Sequence, residues 1–223
     1  MSSSSGSEDT PWIQWFLSLK GHELLCEVHR AYIEDSFNLY GLRQIIPHYA
    51  ACLDVILDRG DTESEMEEKL QIDTFNLYGL IHSRYIVTAR GQETMLRKYN
   101  CGEFGRCPLV GCAGQMVVPA GMSDLPGESS VKLYCPRCSQ LIERPRGNTA
   151  SGLADFDGAW IGTTFPHLFF MTFRDLVPAS GPATYVPRVF GYRVHKSALT
   201  QQGQEEGGRE PGEEQEHASY HRG

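Results

Sequence analysis

Four cysteines stand in two close pairs: Cys107 and Cys112 in CPLVGC, then, after 22 intervening residues, Cys135 and Cys138 in CPRC. Each pair closes a short turn that can aim two sulfurs at one point. Together they supply the tetrahedral thiolate set of a zinc ion with no ligand position left for a reacting water. The site is therefore expected to be structural, with metal binding serving as folding energy. Proline after the first cysteine of each pair suits such a turn, because it fixes φ and removes a competing donor. The spacer is slightly longer than is usual between such pairs. It still fits a zinc ribbon in which QMVVP and VKLYC are strands joined by PAGMSDLPGESS. Cys101, at a helix end, is a poorer ligand, and Cys26 and Cys52 fall at apolar helical positions that suit small core residues.

A second group of side chains carries charge. Between Asp54 and Asp73 there are eight acidic residues and two basic ones, Asp58, Asp61, Glu63, Glu65, Glu67 and Glu68 forming the densest part. Acids favour a helix start, but this excess goes beyond what capping requires and can attract a polycation or a basic docking partner. His48, His82, His167 and His195 are scattered without a nucleophile beside them, and no phosphate loop, zincin, nucleophile-elbow or kinase motif occurs. The residues alone read as a non-enzymatic, zinc-containing binding protein.

The elements that position these groups divide the chain. Residues 1–10 are Ser, Gly and acid and are expected to be a disordered phosphoacceptor tail. From Trp12 the chain is apolar at helical spacing, with Pro11 suited to a first helical residue. PHYAACLDVILDRG places Tyr49, Cys52, Leu53 and Ile56 on one helix. Thr62 and Glu65 resemble a capping box for a long helix from about residue 63 to Arg90, with Met66, Leu70, Leu77, Ile81 and Tyr85 as its apolar stripe and Gly91 as its stop. ETMLRKYN carries one more helix. After Gly105 the pattern changes to β-like runs, QMVVP, VKLYC, HLFFMTF and YVPRVFGYRV. In the last of these, period-two alternation puts Phe190, Tyr192 and Val194 on one face, with Gly191 marking a close backbone approach. Residues 201–223 are nearly free of apolar side chains and are expected to be a disordered acidic tail.

The formal net charge of −8 disfavours a general nucleic-acid or anionic-membrane role, because phosphate binding needs a basic surface. No apolar run is long enough for a membrane span, and the N-terminus lacks a secretory pattern. A soluble intracellular protein with no membrane partner is the expectation.

Ten segments in order carry a family resemblance: WIQWF, LLCEV, YIEDSFNLYGL, PHYAACLDVILD, LYGLIHSRYIVTARG, KYNCGEFGRCP, GMSDLPGE, VKLYCPRC, FPHLFFM and VPRVFGYRVH. Over residues 11–195 the chain resembles the regulatory (beta) subunit of casein kinase II. The resemblance implies an α+β protein. An N-terminal all-helical domain with the acidic loop (11–104) packs on a four-cysteine zinc-ribbon dimerisation domain (105–165), followed by a β-hairpin-like docking segment (166–200) for the catalytic subunit. It further implies one structural zinc per chain on Cys107, Cys112, Cys135 and Cys138, and a homodimer through the ribbon. A catalytic (alpha) subunit would bind at each side, giving a heterotetramer whose regulatory chains transfer no phosphate but stabilise the kinase and alter its substrate choice. Phe190 and Tyr192 match the family's kinase anchors, the acidic run matches its surface for polyamines and basic protein substrates, and the best N-terminal phosphoacceptor is Ser5, with Glu8 three residues on, followed by Ser2.

This chain also departs from the family pattern. The anchors read Phe-Gly-Tyr where the family has Tyr-Gly-Phe, so one hydroxyl has changed places. Gly111 stands where a larger residue is common, Ala50 replaces an arginine, and the C-terminal end is acidic where the family's is basic. These features point to a specialised paralogue. Two other readings stay open on the residues: a nucleic-acid-binding zinc ribbon using Arg106, Lys132, Arg137, Arg144 and Arg146, and a structural relative that has lost the kinase.

Overall fold

The computed structural model describes residues 10–59, 68–143 and 156–195. The N-terminal and C-terminal tails, Ser2 and Ser5, and Asp61, Glu63, Glu65 and Glu67 of the acidic run lie outside the described residues. The chain forms two compact units, Met1–Ala183 and Thr184–Gly223.

In the first unit, helix α1 (Trp12–Ser18) begins the helical part, with Pro11 at its N-cap rather than inside its first turn. Short helices α2 (Arg30–Glu34) and α3 (Leu42–Ile45) lead to α4 (Tyr49–Ile56), which packs along α5 (Glu68–Tyr85). The long helix expected to reach Arg90 ends at Tyr85, and α6 (Ala89–Asn100) starts after a break. Thr88 explains the break: its hydroxyl caps α6 by accepting from Gly91 N–H at 3.2 Å. Gly91 is therefore not a stop. It lies in the first turn of α6, where a Cβ would come within 2.1 Å of the Tyr85 carbonyl oxygen.

The ribbon follows as a three-stranded antiparallel sheet of β1 (Val118–Ala120), β2 (Lys132–Cys135) and β3 (Gln140–Glu143). Its register pairs Val118 with Tyr134 and Cys135 with Gln140. QMVVP and VKLYC thus contribute strands, as their patterns indicate. HLFFMTF does not: it belongs to α7 (Phe165–Thr172), a helix that the continuous apolar run conceals. Pro166 in its first turn was the available signal. The docking segment expected over 166–200 therefore opens inside a core helix, since Phe165 and Phe169 are fully buried.

One hydrophobic core joins these parts. It contains Trp12 and Phe16 of α1, Leu77, Tyr78 and Ile81 of α5, Val118 and Val131 of the ribbon region, and Phe165 and Phe169 of α7. Two buried polar groups one turn apart on α5 pin other segments to that core. The Tyr78 hydroxyl accepts from Val28 N–H at 3.2 Å. His82 Nε2 accepts from Cys26 N–H at 3.1 Å, leaving Nδ1–H to donate to the Trp160 carbonyl at 2.7 Å. Both ring nitrogens are satisfied only in the neutral form, and complete burial pushes the His82 pKa down to about 4.

A pH dependence follows. In the unfolded chain His82 titrates near 6.5, so between about 6.5 and 4 the unfolded state binds more protons and stability falls with falling pH. The contribution is fully present above 6.5 and lost by about 4. It is worth about 3 kcal/mol, because holding a pKa one unit below its ordinary value corresponds to roughly 1.4 kcal/mol. Denaturant midpoints measured between pH 7.5 and 4 should shift less in His82→Gln than in the wild-type protein, and parallel curves would refute this assignment.

No helix among the described residues is long and apolar enough to cross a membrane. In the second unit, β4 (Arg188–Val189) and β5 (Tyr192–Arg193) form a two-stranded antiparallel hairpin.

Candidate functional site

The four predicted ligands meet. The sulfurs of Cys107, Cys112, Cys135 and Cys138 lie within 4.8 Å of one another, and those of Cys112 and Cys135 are 3.9 Å apart. A regular tetrahedron with zinc–sulfur bonds of about 2.3 Å has sulfur–sulfur edges of about 3.8 Å, so the cluster is compatible with zinc. Cys107, Cys112 and Cys135 are buried and Cys138 is partly so.

Two similar turns build the cluster. In the first, Cys107 N–H donates to the Gln115 carbonyl at 2.7 Å, and Cys112 N–H donates to that of Leu109 at 2.9 Å. Ala113 and Gly114, both at positive φ, then reverse the chain. In the second, Cys135 ends β2, Ser139 N–H returns to the Cys135 carbonyl at 2.9 Å, and Ser139 takes φ 55°. Burial pushes the Cys107 and Cys112 thiols up, Cys112 to about 12. At Cys135 burial acts in the same direction, but the Cys138 and Arg137 N–H groups, together with the Cys138 and Cys107 thiols, outweigh it and hold the thiol below its ordinary value. Such N–H donors orient a thiolate for a metal. A divalent cation would supply the charge that lets four thiolates, three of them buried, coexist.

Of the remaining cysteines, Cys52 is buried on α4 as expected, Cys26 is buried but lies in a non-helical segment before α2 rather than on a helix, and Cys101 is exposed and outside the cluster. Gly111 has a fitted role that the sequence did not reveal. Its carbonyl accepts from Ala183 N–H at 2.8 Å, and a Cβ there would stand 2.6 Å from the Ala183 carbonyl oxygen. The glycine admits a close passage of the chain across the first cysteine turn.

The acidic run is seen only at its edges. Asp58, at φ 52°, uses Oδ1 to accept from Trp12 N–H at 2.9 Å and so closes the start of α1. Arg59 next to it pairs with Glu34 at 2.9 Å, and Glu68 is exposed at the beginning of α5. His48 bonds Asp73 at 3.0 Å, a local structural pair.

The hairpin corrects the expected common face of Phe190, Tyr192 and Val194. Val189 pairs with Tyr192 and Arg188 with Arg193, which makes Phe190 and Gly191 the two turn residues. Both have positive φ, 51° and 84°, as a type I′ turn requires. Gly191 is a turn glycine, with nothing near the place of its missing Cβ. Tyr192 and Val194 still share a face, but Phe190 projects from the turn, 97% exposed, while Tyr192 is 81% exposed. A bulky side chain in the left-handed region costs about 1 to 2 kcal/mol. An exposed aromatic kept there at that cost suits contact with something outside the hairpin.

The family described as casein kinase II regulatory subunit matches residues 11–193, which span the helices, the cysteine cluster and the hairpin. This chain belongs to that family. Among casein kinase II subunits it is similar to subunit beta-3 of Arabidopsis thaliana, 48% identical over 199 residues that cover 86% of this chain and 71% of the relative. The beta subunit of Schizosaccharomyces pombe is 45% identical over 202 residues, covering 89% and 86%. The beta′ subunit of Drosophila melanogaster is 44% identical over 195 residues, covering 86% and 87%. A casein kinase II regulatory subunit is a non-catalytic component, which fits histidines such as His82 and His48 whose hydrogen bonds serve the fold.

Proposed function

We propose that this chain docks a casein kinase II catalytic subunit through the hairpin at Phe190, Tyr192 and Val194, and thereby sets the stability and substrate choice of the kinase. The observation that carries this reading is the bare aromatic Phe190 held in a strained two-residue turn, with exposed Tyr192 beside it at the start of β5. Rigid, exposed aromatic side chains are the usual anchors of protein interfaces. Titration of the purified chain with a casein kinase II catalytic subunit tests it, and absence of binding at micromolar concentration would overturn it.

The same reading includes zinc on the four cysteines and a second copy of this chain on the ribbon face. Val110, 91% exposed at the tip of the first cysteine turn, supports the second part. So does a groove of about 590 Å³ lined by Met122, Tyr134, Leu141, Phe170 and Met171, among others, on the same unit. Covering these side chains would remove a sizeable apolar surface from water.

Asp58, Asp61, Glu63, Glu65, Glu67 and Glu68 would recruit polyamines and basic protein substrates. The support is their density in the sequence. Spermine binding measured by calorimetry should weaken at least about tenfold when the four glutamates become glutamines, and should fall steeply with salt. Unchanged affinity would remove the role.

A further inference from the structure

A cleft of about 280 Å³ opens between the beginning of α6 and the second half of α7. Its walls are mostly apolar, Val87 and Ala89 on the α6 side and Leu168 and Phe173 on the α7 side, and Gln92 and Glu93 complete the lining. Gln92 is only 3% exposed, and its amide is half satisfied. Nε2 donates to the Ile86 carbonyl at 3.1 Å, which fixes the end of the amide that faces Ile86. Oε1 is buried and accepts no hydrogen bond among the described residues. An unpaired buried acceptor is unfavourable, and native structures contain few of them. A lone water is a poor partner for it, because a buried water needs about two to four polar neighbours and these walls supply few.

The start of α6 adds donors. The first N–H groups of a helix have no partner inside it. Thr88 takes up two of them, its hydroxyl accepting from Gly91 N–H at 3.2 Å and its carbonyl from Gln92 N–H at 2.8 Å. The N–H groups of Ala89 and Arg90 are left to water or a ligand. We infer that this cleft binds a small uncharged primary carboxamide with an aromatic or branched apolar body. Its two N–H groups serve Gln92 Oε1 and the exposed Glu93 carboxylate, its carbonyl faces the helix start, and its body lies on Val87, Leu168 and Phe173. Leu168 and Phe173 are half-buried and can turn aside to admit an N–H group to Oε1. A cationic amine would also meet Glu93, but the positive end of the helix dipole opposes it. An ester or carboxylate offers Gln92 no donor. Ligand clefts usually start at about 300 Å³, so this one suits a fragment-sized molecule rather than a large cofactor. None of these residues is assigned to kinase docking, so the inference stands apart from that function.

Benzamide is the probe, titrated into the full-length chain while backbone amide and Gln92 side-chain resonances are followed. Saturable shifts centred on residues 87–93 and 168–173, with a Kd near about 1 mM, are the expected result for so small a ligand. Methyl benzoate keeps the ring and carbonyl but has no N–H, and should bind at least about fivefold more weakly for want of one buried hydrogen bond. Benzylamine should also bind more weakly than benzamide. Gln92→Leu keeps the side-chain bulk and should erase the difference between benzamide and methyl benzoate. Thr172→Trp, at an exposed lining position, should fill the cleft and abolish binding of both, which keeps the test decisive if Gln92→Leu fails to fold. Absence of saturable shifts up to about 20 mM benzamide would overturn the assignment. So would equal affinity of wild type for amide and ester, tighter binding of benzylamine, an undiminished amide preference in Gln92→Leu, or benzamide binding that survives Thr172→Trp.

Discussion

Cys135→Ser is expected to abolish stoichiometric metal and unfold the ribbon. The substituted position closes β2 and lies in buried contact with Cys112, so the cluster would lose one of its four converging donors. A hydroxyl is a poor ligand for zinc at neutral pH, and structural zinc sites supply about 10 to 16 kcal/mol of apparent binding free energy. The three strands have 3, 4 and 4 residues, too little sheet to stand without that contribution. Total zinc should fall from about one per chain to near zero. Amide protection should vanish over residues 105–143, and self-association should be lost with the ribbon face. Phe16, Tyr78 and Ile81 lie on the helical side of the shared core, away from the cysteine cluster, so much of the helical signal should persist. Ser substitution of exposed Cys101 is the control, expected to leave zinc and assembly unchanged. A zinc-free Cys135→Ser protein with an intact ribbon and unaltered assembly would refute the site.

Legibility in the sequence followed how local the determining physics is. Two cysteine pairs are legible because ligand spacing is itself the constraint, and the structure brings all four sulfurs together. The α4 helix is legible from apolar spacing, and the later part of α6 from ETMLRKYN, but its start at Ala89 behind the Thr88 cap was missed. HLFFMTF was not, since an unbroken apolar run suits a buried helix as well as a strand and only tertiary packing of Phe165 and Phe169 distinguishes them. The end of α5 was misplaced for a related reason: Gly91 reads as a stop, but its missing Cβ serves the close contact with Tyr85. At Phe190-Gly191 the alternation appeared continuous because the usual Asn-Gly or Asp-Gly turn signal is replaced by an aromatic. That local conflict between residue and conformation is visible only when the φ angle is known.

The combined change Phe190→Ala and Tyr192→Ala should weaken catalytic-subunit binding by about a thousandfold, taking roughly 2 kcal/mol for each buried anchor. The turn geometry allows the two contributions to be separated. Phe190→Asn places a residue suited to the left-handed region at φ 51° and should stabilise the hairpin while removing the aromatic ring. If the ring is the anchor, Phe190→Asn binds kinase weakly despite a firmer hairpin. If Phe190 served only the turn, Phe190→Asn would bind as well as wild type, and the docking assignment of that residue would fall. The transposed hydroxyl gives the finer test. Tyr192 is exposed in the free hairpin, so its hydroxyl is hydrated at no cost until docking buries it. A partner surface that supplies no acceptor or donor there imposes about 1 to 3 kcal/mol, and Tyr192→Phe would then tighten binding. A surface that does supply one makes Tyr192→Phe weaken binding instead. The sign of that single change states whether the kinase surface receiving this chain is matched to Phe-Gly-Tyr or merely tolerates it.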